Sequence, residues 1–384
     1  MRDLQKMENP GLYIHIPFCR RKCTYCAFYS VASFDRNKED AYLQALAAEA
    51  AWFSSHYFQG RRVSLGSLYI GGGTPSLLPV GFYARLLERL AEVFDISSCR
   101  EVTFEANPEH LEPDYLRDLW KYTPVRRLSI GIQSFRDEDL QKLNRCHTGQ
   151  EAEKAIENAR RAGFSNLSAD LIYGLWGEEG AAPWAENLAR LASLDLPHFS
   201  AYALSLEPKT VLWRRVEQGK AKMASDEEIE REYRYLQAFA KEHGFLHYEI
   251  SNLAKPGFEA IHNSNYWRNV PYIGLGASAH SYIGDERSWN TGRLGDYLQD
   301  AVGTKEREIL DEADHYHEYV MTALRTIQGV EKARLAGFRE DLQREFRQRV
   351  AVEISVGNIV ETEMSYVMAE DRRLLTDLVA EHFF

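Results

Sequence analysis

The chain has 384 residues, 45% hydrophobic and 27% charged, the balance of a globular protein of about two domains at roughly 150 residues each. With 46 Lys plus Arg against 57 Asp plus Glu the formal charge is −11, and so acidic a chain is a poor partner for nucleic acid. No apolar stretch nears the ~20 residues of a membrane span, and MRDLQKMENPG (1–11) lacks a signal-peptide core, so a cytoplasmic protein is expected.

Apolar, β-branched runs alternate with helical stretches through the first two-thirds. LYIHIP (12–17) is followed by a helix over 40–58, SLYI (67–70) by 82–94, and EVTFEA (101–106) by 113–122. RLSIGI (127–132) precedes 151–162, NLSADLIYG (166–174) precedes 183–194, and FSAYALS (199–205) precedes 226–243. Repeated strand–helix units predict an α/β fold with a parallel sheet. Six units fall short of the eight of a complete barrel, so a partial (β/α)6-type barrel is expected over residues 1–285. Residues 286–384 are assigned to a small C-terminal α+β domain. There 305–327 reads as one charged amphipathic helix, with Leu310, Tyr316, Val320, Leu324 and Ile327 at helical spacings, and AVEISVGNIV (351–360) as a β-branched run.

Cys19, Cys23 and Cys26 form C-x3-C-x2-C directly after the first strand, while Cys99 and Cys146 are expected as ordinary thiols. An odd number of cysteines so spaced is no disulfide framework, and no second pair completes a structural zinc site. Thiolates are the usual holders of iron–sulfur clusters, and three on a [4Fe–4S] cluster leave one iron able to bind something else. Three buried structural cysteines are the competing reading.

In parallel barrels the site forms at the C-terminal ends of the strands. The GGGTP of Gly71–Pro75 follows the second strand, Glu105 and Asn107 end the third, Gln133 ends the fourth, and Asp170 lies in the fifth. Glycines let a ligand approach the backbone, carboxylates accept ribose hydroxyls, and Arg145 can hold a carboxylate by two parallel hydrogen bonds. Singly, each also reads as a turn, surface or capping residue.

The cysteine loop resembles the cluster loop of the radical S-adenosylmethionine (SAM) superfamily. The resemblance implies that Cys19, Cys23 and Cys26 ligate three irons while the fourth binds the amino and carboxyl groups of SAM. It also implies that Tyr25 lies near the adenine and that the segment holding Gly72, Gly73 and Thr74 pairs with the SAM amino group. EANPE, SIGIQSF, LNRCH and DLIYG, which carry Glu105, Gln133, Arg145 and Asp170, are similar to motifs of the group related to oxygen-independent coproporphyrinogen III oxidase. That resemblance covers nearly the whole chain and implies SAM contacts for those four residues and for Tyr13. One departure is GLWG (174–177) in place of the family's GLPG, which puts Trp176 near the cofactor rim.

The group has two branches. The oxidase decarboxylates two propionates to vinyls; the haem chaperone branch (HemW-type) binds haem and delivers it to acceptor proteins. Phe28 stands where the oxidase has a fourth cysteine, and only 18 residues precede Cys19 where the oxidase has a long extension. HNSNYW (262–267) matches the H-N-x-x-Y-W of the chaperone branch. A haem chaperone is therefore expected, carrying the cluster and SAM. The oxidase is the alternative, and a SAM-independent iron–sulfur protein is the third reading.

His262 is expected as an axial haem ligand with Tyr266 and Trp267 against the macrocycle. The other reading has His262 capping a turn and the two aromatics in the core. His15, His147 and His280 read by default as structural. The sequence leaves a homodimer open, as it does haem acceptors such as membrane-associated respiratory proteins.

Overall fold

The computed structural model describes residues 9–32, 38–177 and 182–384. Most of the N-terminal segment read for a signal peptide lies outside the described residues.

Six strands run in parallel, each hydrogen-bonded to its neighbours in sequence order: β1 (Gly11–Ile16), β2 (Ser67–Gly72), β3 (Glu101–Ala106), β4 (Arg127–Gln133), β5 (Asn166–Tyr173) and β6 (His198–Ala203). Helices α1 (Glu39–Phe58), α2 (Val80–Leu90), α3 (Pro113–Tyr122), α4 (Asp137–Lys142), α5 (Gly149–Arg161) and α6 (Ala182–Ser193) connect them. This is the expected partial barrel. Strand side chains alternate between two faces. Leu12, Ile14, Leu68, Ile70, Phe104, Leu128, Ile130, Leu167 and Phe199 share one buried cluster with the helices. The alternate positions, among them Tyr13, Tyr69, Glu105, Ser129, Asp170 and Ser200, form a polar inner face. Helix starts are marked locally: a Thr148–Glu151 capping box opens α5, and Pro113 is the first residue of α3.

The sheet extends past the barrel on both sides. After α7 (Val211–Glu217) and α8 (Asp226–Glu242), β7 (Leu246–His247) and β8 (Asn252–Ala254) add antiparallel to β6. Helix α9 (Ile261–Trp267) then leads to β9 (Tyr272–Leu275), which lies parallel to β1. Strands β10 (His280–Ile283), β11 (Glu286–Trp289) and β12 (Glu306–Ile309) follow in antiparallel order, giving twelve strands among the described residues.

Residues beyond 285 thus begin as two further strands of the main sheet, and a separate buried cluster starts only at Tyr316. It joins α10 (Glu312–Leu324) and α11 (Glu340–Ser355) to a three-stranded antiparallel sheet of β13 (Val330–Glu331), β14 (Ile359–Glu361) and β15 (Ser365–Met368). The single helix expected over 305–327 is corrected: 306–309 is strand β12, and the helix starts after Asp311, whose carboxylate accepts from the Ala313 and Asp314 amides. Its apolar spacing from Leu310 onward is genuine, but the charged residues before it pair with β11. Likewise, 351–355 complete α11, and of the β-branched run only 359 and 360 are strand.

One buried ion pair closes this arrangement. Lys305 Nζ donates to Glu49 Oε1 at 2.9 Å, and both side chains are 0% exposed. Glu49 also accepts from Gly276 N (2.9 Å), Asn290 Nδ2 (2.7 Å) and Tyr297 OH (2.7 Å), so α1 is tied to the segment from Gly276 to Lys305. Removing one partner of such a pair leaves an uncompensated buried charge. Lys305→Met is expected to cost about 3–5 kcal/mol, and adding Glu49→Gln to recover much of it, as read from denaturant midpoints. Equal midpoints for the single and double variants would exclude this account.

Candidate functional site

Beyond β1, Phe18–Cys19 pairs in parallel with Val31–Ala32, so the intervening residues form a loop closed at its base. Its middle is pinned from outside. The Thr24 amide donates to Leu143 O at 3.1 Å, its hydroxyl to Lys142 O at 3.2 Å, and its carbonyl accepts from Leu212 N at 2.8 Å. Asn144, in a left-handed conformation (φ 62°), donates its side-chain amide to Lys22 O at 2.9 Å. The unpaired thiols of Cys19, Cys23 and Cys26 line one pocket of about 520 Å³ at the C-terminal ends of the strands. Burial raises the pKa of Cys19 and Cys26; a 3.5 Å hydrogen bond from Thr74 Oγ1 opposes it at Cys19. Among the described residues no three His, Cys, Asp or Glu side chains converge as around a single ion.

The rest of the pocket wall is built strand by strand. Gly72 has φ 116°, and a Cβ there would lie 2.7 Å from the His15 ring; on Gly73 it would lie 2.9 Å from Cys19 Sγ. Glu105 accepts from Tyr69 OH (2.7 Å) and Gly72 N (2.9 Å). Burial, with the Asp170 charge adding, pushes its pKa up to about 7 against those hydrogen bonds. Asp170 is raised by burial and held by Ser200 Oγ (2.8 Å) and Ser129 Oγ (3.1 Å). Gln133 sits at a β-bulge with φ 71°, a sparsely populated conformation of the kind that gathers at ligand rims. Arg145 donates to Cys23 Sγ (3.4 Å), Asn107 Oδ1 (2.8 Å) and Gly131 O (2.5 Å), while its buried Nε has no partner. A two-bond grip on a carboxylate therefore needs Arg145 to release one of these acceptors. Tyr25 and Trp176 pack on a small apolar cluster beside the rim, and Trp176 Nε1 donates to Asp139 at 3.0 Å.

Of the thirteen expected site residues, eleven line this pocket; Tyr13 and His262 do not. Tyr13 lies lower in the barrel, its hydroxyl 2.9 Å from His15 Nδ1, and the other His15 nitrogen meets Tyr29 O at 3.0 Å. His262 is 1% exposed beneath the strands. Its Nδ1 meets Ser67 Oγ at 2.8 Å, its Nε2 meets Tyr266 OH at 2.9 Å, and its ring stacks on Tyr69. Burial and the nearby Arg127 charge lower its pKa to about 3, so the ring is neutral. In this conformation both ring nitrogens are engaged within the protein, by Ser67 and by Tyr266. His147 is buried against Ile132 O (3.1 Å), and His280 sits on β10, stacked on Trp289, away from the pocket. Phe28 stands 74% exposed at the rim.

Sequence reasoning passed over Tyr69, Ser129, Ser200 and Gly131, which hold or make room for Glu105, Asp170 and Arg145. All four were recoverable as inward positions of strands already recognised, two residues apart.

A partial barrel carrying three thiols and a glycine-rich rim at one pocket defines a radical SAM protein, and the Radical SAM superfamily model matches residues 13–184. Among solved structures, coproporphyrinogen III oxidase (HemN) of Escherichia coli superposes with a TM-score of 0.82 at 25% identity, covering 98% of this chain and 90% of that one. Heme chaperone HemW of Lactococcus lactis is 36% identical over 85% of this chain and 84% of its own length. Heme chaperone HemW of E. coli is 31% identical over 98% of this chain and 99% of its own. The chain belongs to the HemW family. No helix among the described residues is long and apolar enough to cross a membrane.

The raised Glu105 pKa has a measurable consequence. Its value of about 7 exceeds the ordinary 4.5, so between these the folded state keeps a proton that the unfolded chain has lost. The stability from this group therefore falls as pH rises through that window. Glu105→Gln is expected to flatten this part of the pH–stability curve, measured by denaturant midpoints; an unchanged slope would place the titration elsewhere.

Proposed function

We propose that this protein is a haem chaperone: it binds haem and passes it to acceptor proteins, and holds a [4Fe–4S] cluster and SAM in the pocket above the strands. The observation that carries the reading is the meeting of eleven site residues in one pocket, in a chain of this family. Cys19, Cys23 and Cys26 would hold three irons. The pocket-lining backbone at Gly72 and Gly73, where a side chain has no room, suits the SAM amino group together with Thr74, as Tyr25 suits the adenine and Glu105 and Asp170 the ribose hydroxyls. The partnerless buried Nε of Arg145 suits the SAM carboxylate. When bound, the cluster supplies one electron for cleaving the carbon–sulfur bond of SAM. The chain's own part is positional: Gln133 and Arg145 orient the cofactor, and the pinned loop holds the thiols in place. We place the protein in the cytoplasm, with membrane-associated respiratory proteins among its acceptors.

Three measurements test this. Cys23→Ala is expected to abolish the visible absorbance of the reconstituted cluster; an intact spectrum would sink the ligand assignment. Haem added anaerobically to cluster-loaded protein is expected to bind saturably and equimolarly. His262→Gln, whose amide can still meet Ser67 and Tyr266, is expected to bind haem as the parent does; loss of binding would restore His262 as a ligand.

The likeness to HemN keeps oxidation of coproporphyrinogen as the second reading. With Phe28 in place of a thiol, cluster-loaded protein given SAM and coproporphyrinogen is expected to yield no vinyl product beside an active HemN control.

A further inference from the structure

At the opposite ends of the same strands lies a second, larger cleft of about 900 Å³, bounded by β3, β4, α9 and the C-terminal helix α10. That is near the upper end of the roughly 300–1,000 Å³ typical of ligand sites. Arg127, only 2% exposed, stands on its wall. Its natural partner Glu101 is held 3.9 Å from Nε, because both Glu101 oxygens already accept backbone amides, from Ile261 at 2.8 Å and His262 at 3.0 Å. Arg127 Nε is left without a hydrogen bond, and so is the buried Nε1 of Trp267 on the same cleft. Buried donors without partners are rare in folded proteins, and both of these call for an acceptor.

The surrounding wall is cationic, with Trp267 partly exposed on it and Tyr319 buried behind Arg334. Arg334 lies over the Tyr319 ring at 4.0 Å, fixed by Arg268 O (3.0 Å) and Asn269 Oδ1 (2.8 Å), and the Arg268 side chain is exposed at the lip. Five arginines line the cleft against three glutamates, one of them Glu101 with both oxygens occupied. Helix α9 has two faces. His262 and Asn265 are buried beneath the barrel, whereas Ile261, Ser264, Trp267 and Arg268, at and just past its end, line the cleft. HNSNYW therefore meets ligand-sized space through Trp267, not through His262.

Resting on the haem-chaperone reading, we propose that this lower cleft is where the cargo is received: a planar, apolar ring beside Trp267, with a propionate carboxylate accepting from Arg127 Nε. Cargo and cluster would then occupy opposite mouths of one barrel, separated by a six-residue strand, roughly 20 Å at 3.3 Å per residue.

The test uses the full, cluster-loaded chain and two probes, haem and its dimethyl ester, followed by haem absorbance, with SAM binding as an independent check of folding. Arg127→Gln and Arg268→Glu are each expected to weaken haem binding about tenfold, the scale of a lost charge-assisted hydrogen bond. The ester, lacking carboxylates, is expected to bind parent and variants alike. Arg268 is exposed, so its variant carries the test even where Arg127→Gln does not fold. Should the parent bind haem saturably and both arginine variants match it, the cleft is not the site and the chaperone reading stands. Should the parent bind no haem saturably, the chaperone reading fails and the cleft assignment fails with it.

Discussion

The inner face of this barrel is polar from one end to the other, and its groups must be satisfied without bulk water. Most of the structure follows from how that is done. In the upper half the serines of β4 and β6 hold Asp170, and Tyr69 with Gly72 holds Glu105, so two carboxylates are kept ready beside the thiol loop. In the lower half Ser67 and Tyr266 occupy His262, Ser168 and Tyr248 occupy His198, and Glu101 caps the start of α9. Arg127 Nε is left without a hydrogen bond there, and it lies where the barrel opens to a cleft.

One short segment supplies much of the outside support of the cysteine loop. Lys142 O, Leu143 O, Asn144 and Arg145 all touch it, from the turn that ends α4. A loop with no helix or strand between its closed ends has little reason to keep one conformation by itself, since each ordered residue costs about 1–2 kcal/mol of backbone entropy. Hydrogen bonds from a neighbouring turn offset that cost, and they explain why LNRCH matters beyond its arginine.

The barrel was legible because alternation with period two and helix-length gaps are local signals. Each of the six strands expected from the sequence is present within one or two residues of its structural ends. The upper pocket was legible because its residues end strands, where direction fixes their address. What escaped were pairings between distant segments. Lys305 looked like the start of a charged helix, and nothing near it in sequence announces Glu49, 256 residues earlier. His262 carried a motif that suits a ligand, but which side of a seven-residue helix faces the lumen is set by Ser67 and Glu101, not by the motif. Arg127 reads as the first charge of a strand, and its Nε shows as partnerless only once Glu101 is seen to be occupied.

The bond between Glu49 and Lys305 also has a place in time. During synthesis at roughly 5–20 residues per second, Glu49 waits on the order of 10–50 s for a lysine that is made 256 residues later, and Gly276, Asn290 and Tyr297 come almost as late. Cys19, Cys23, Cys26, Glu105 and Asp170 have all been made well before then. The nascent barrel therefore holds its thiols while a carboxylate in its first helix is still without the partners that bury it. Its final closure belongs to the end of translation, after the chemistry-bearing residues are already in place.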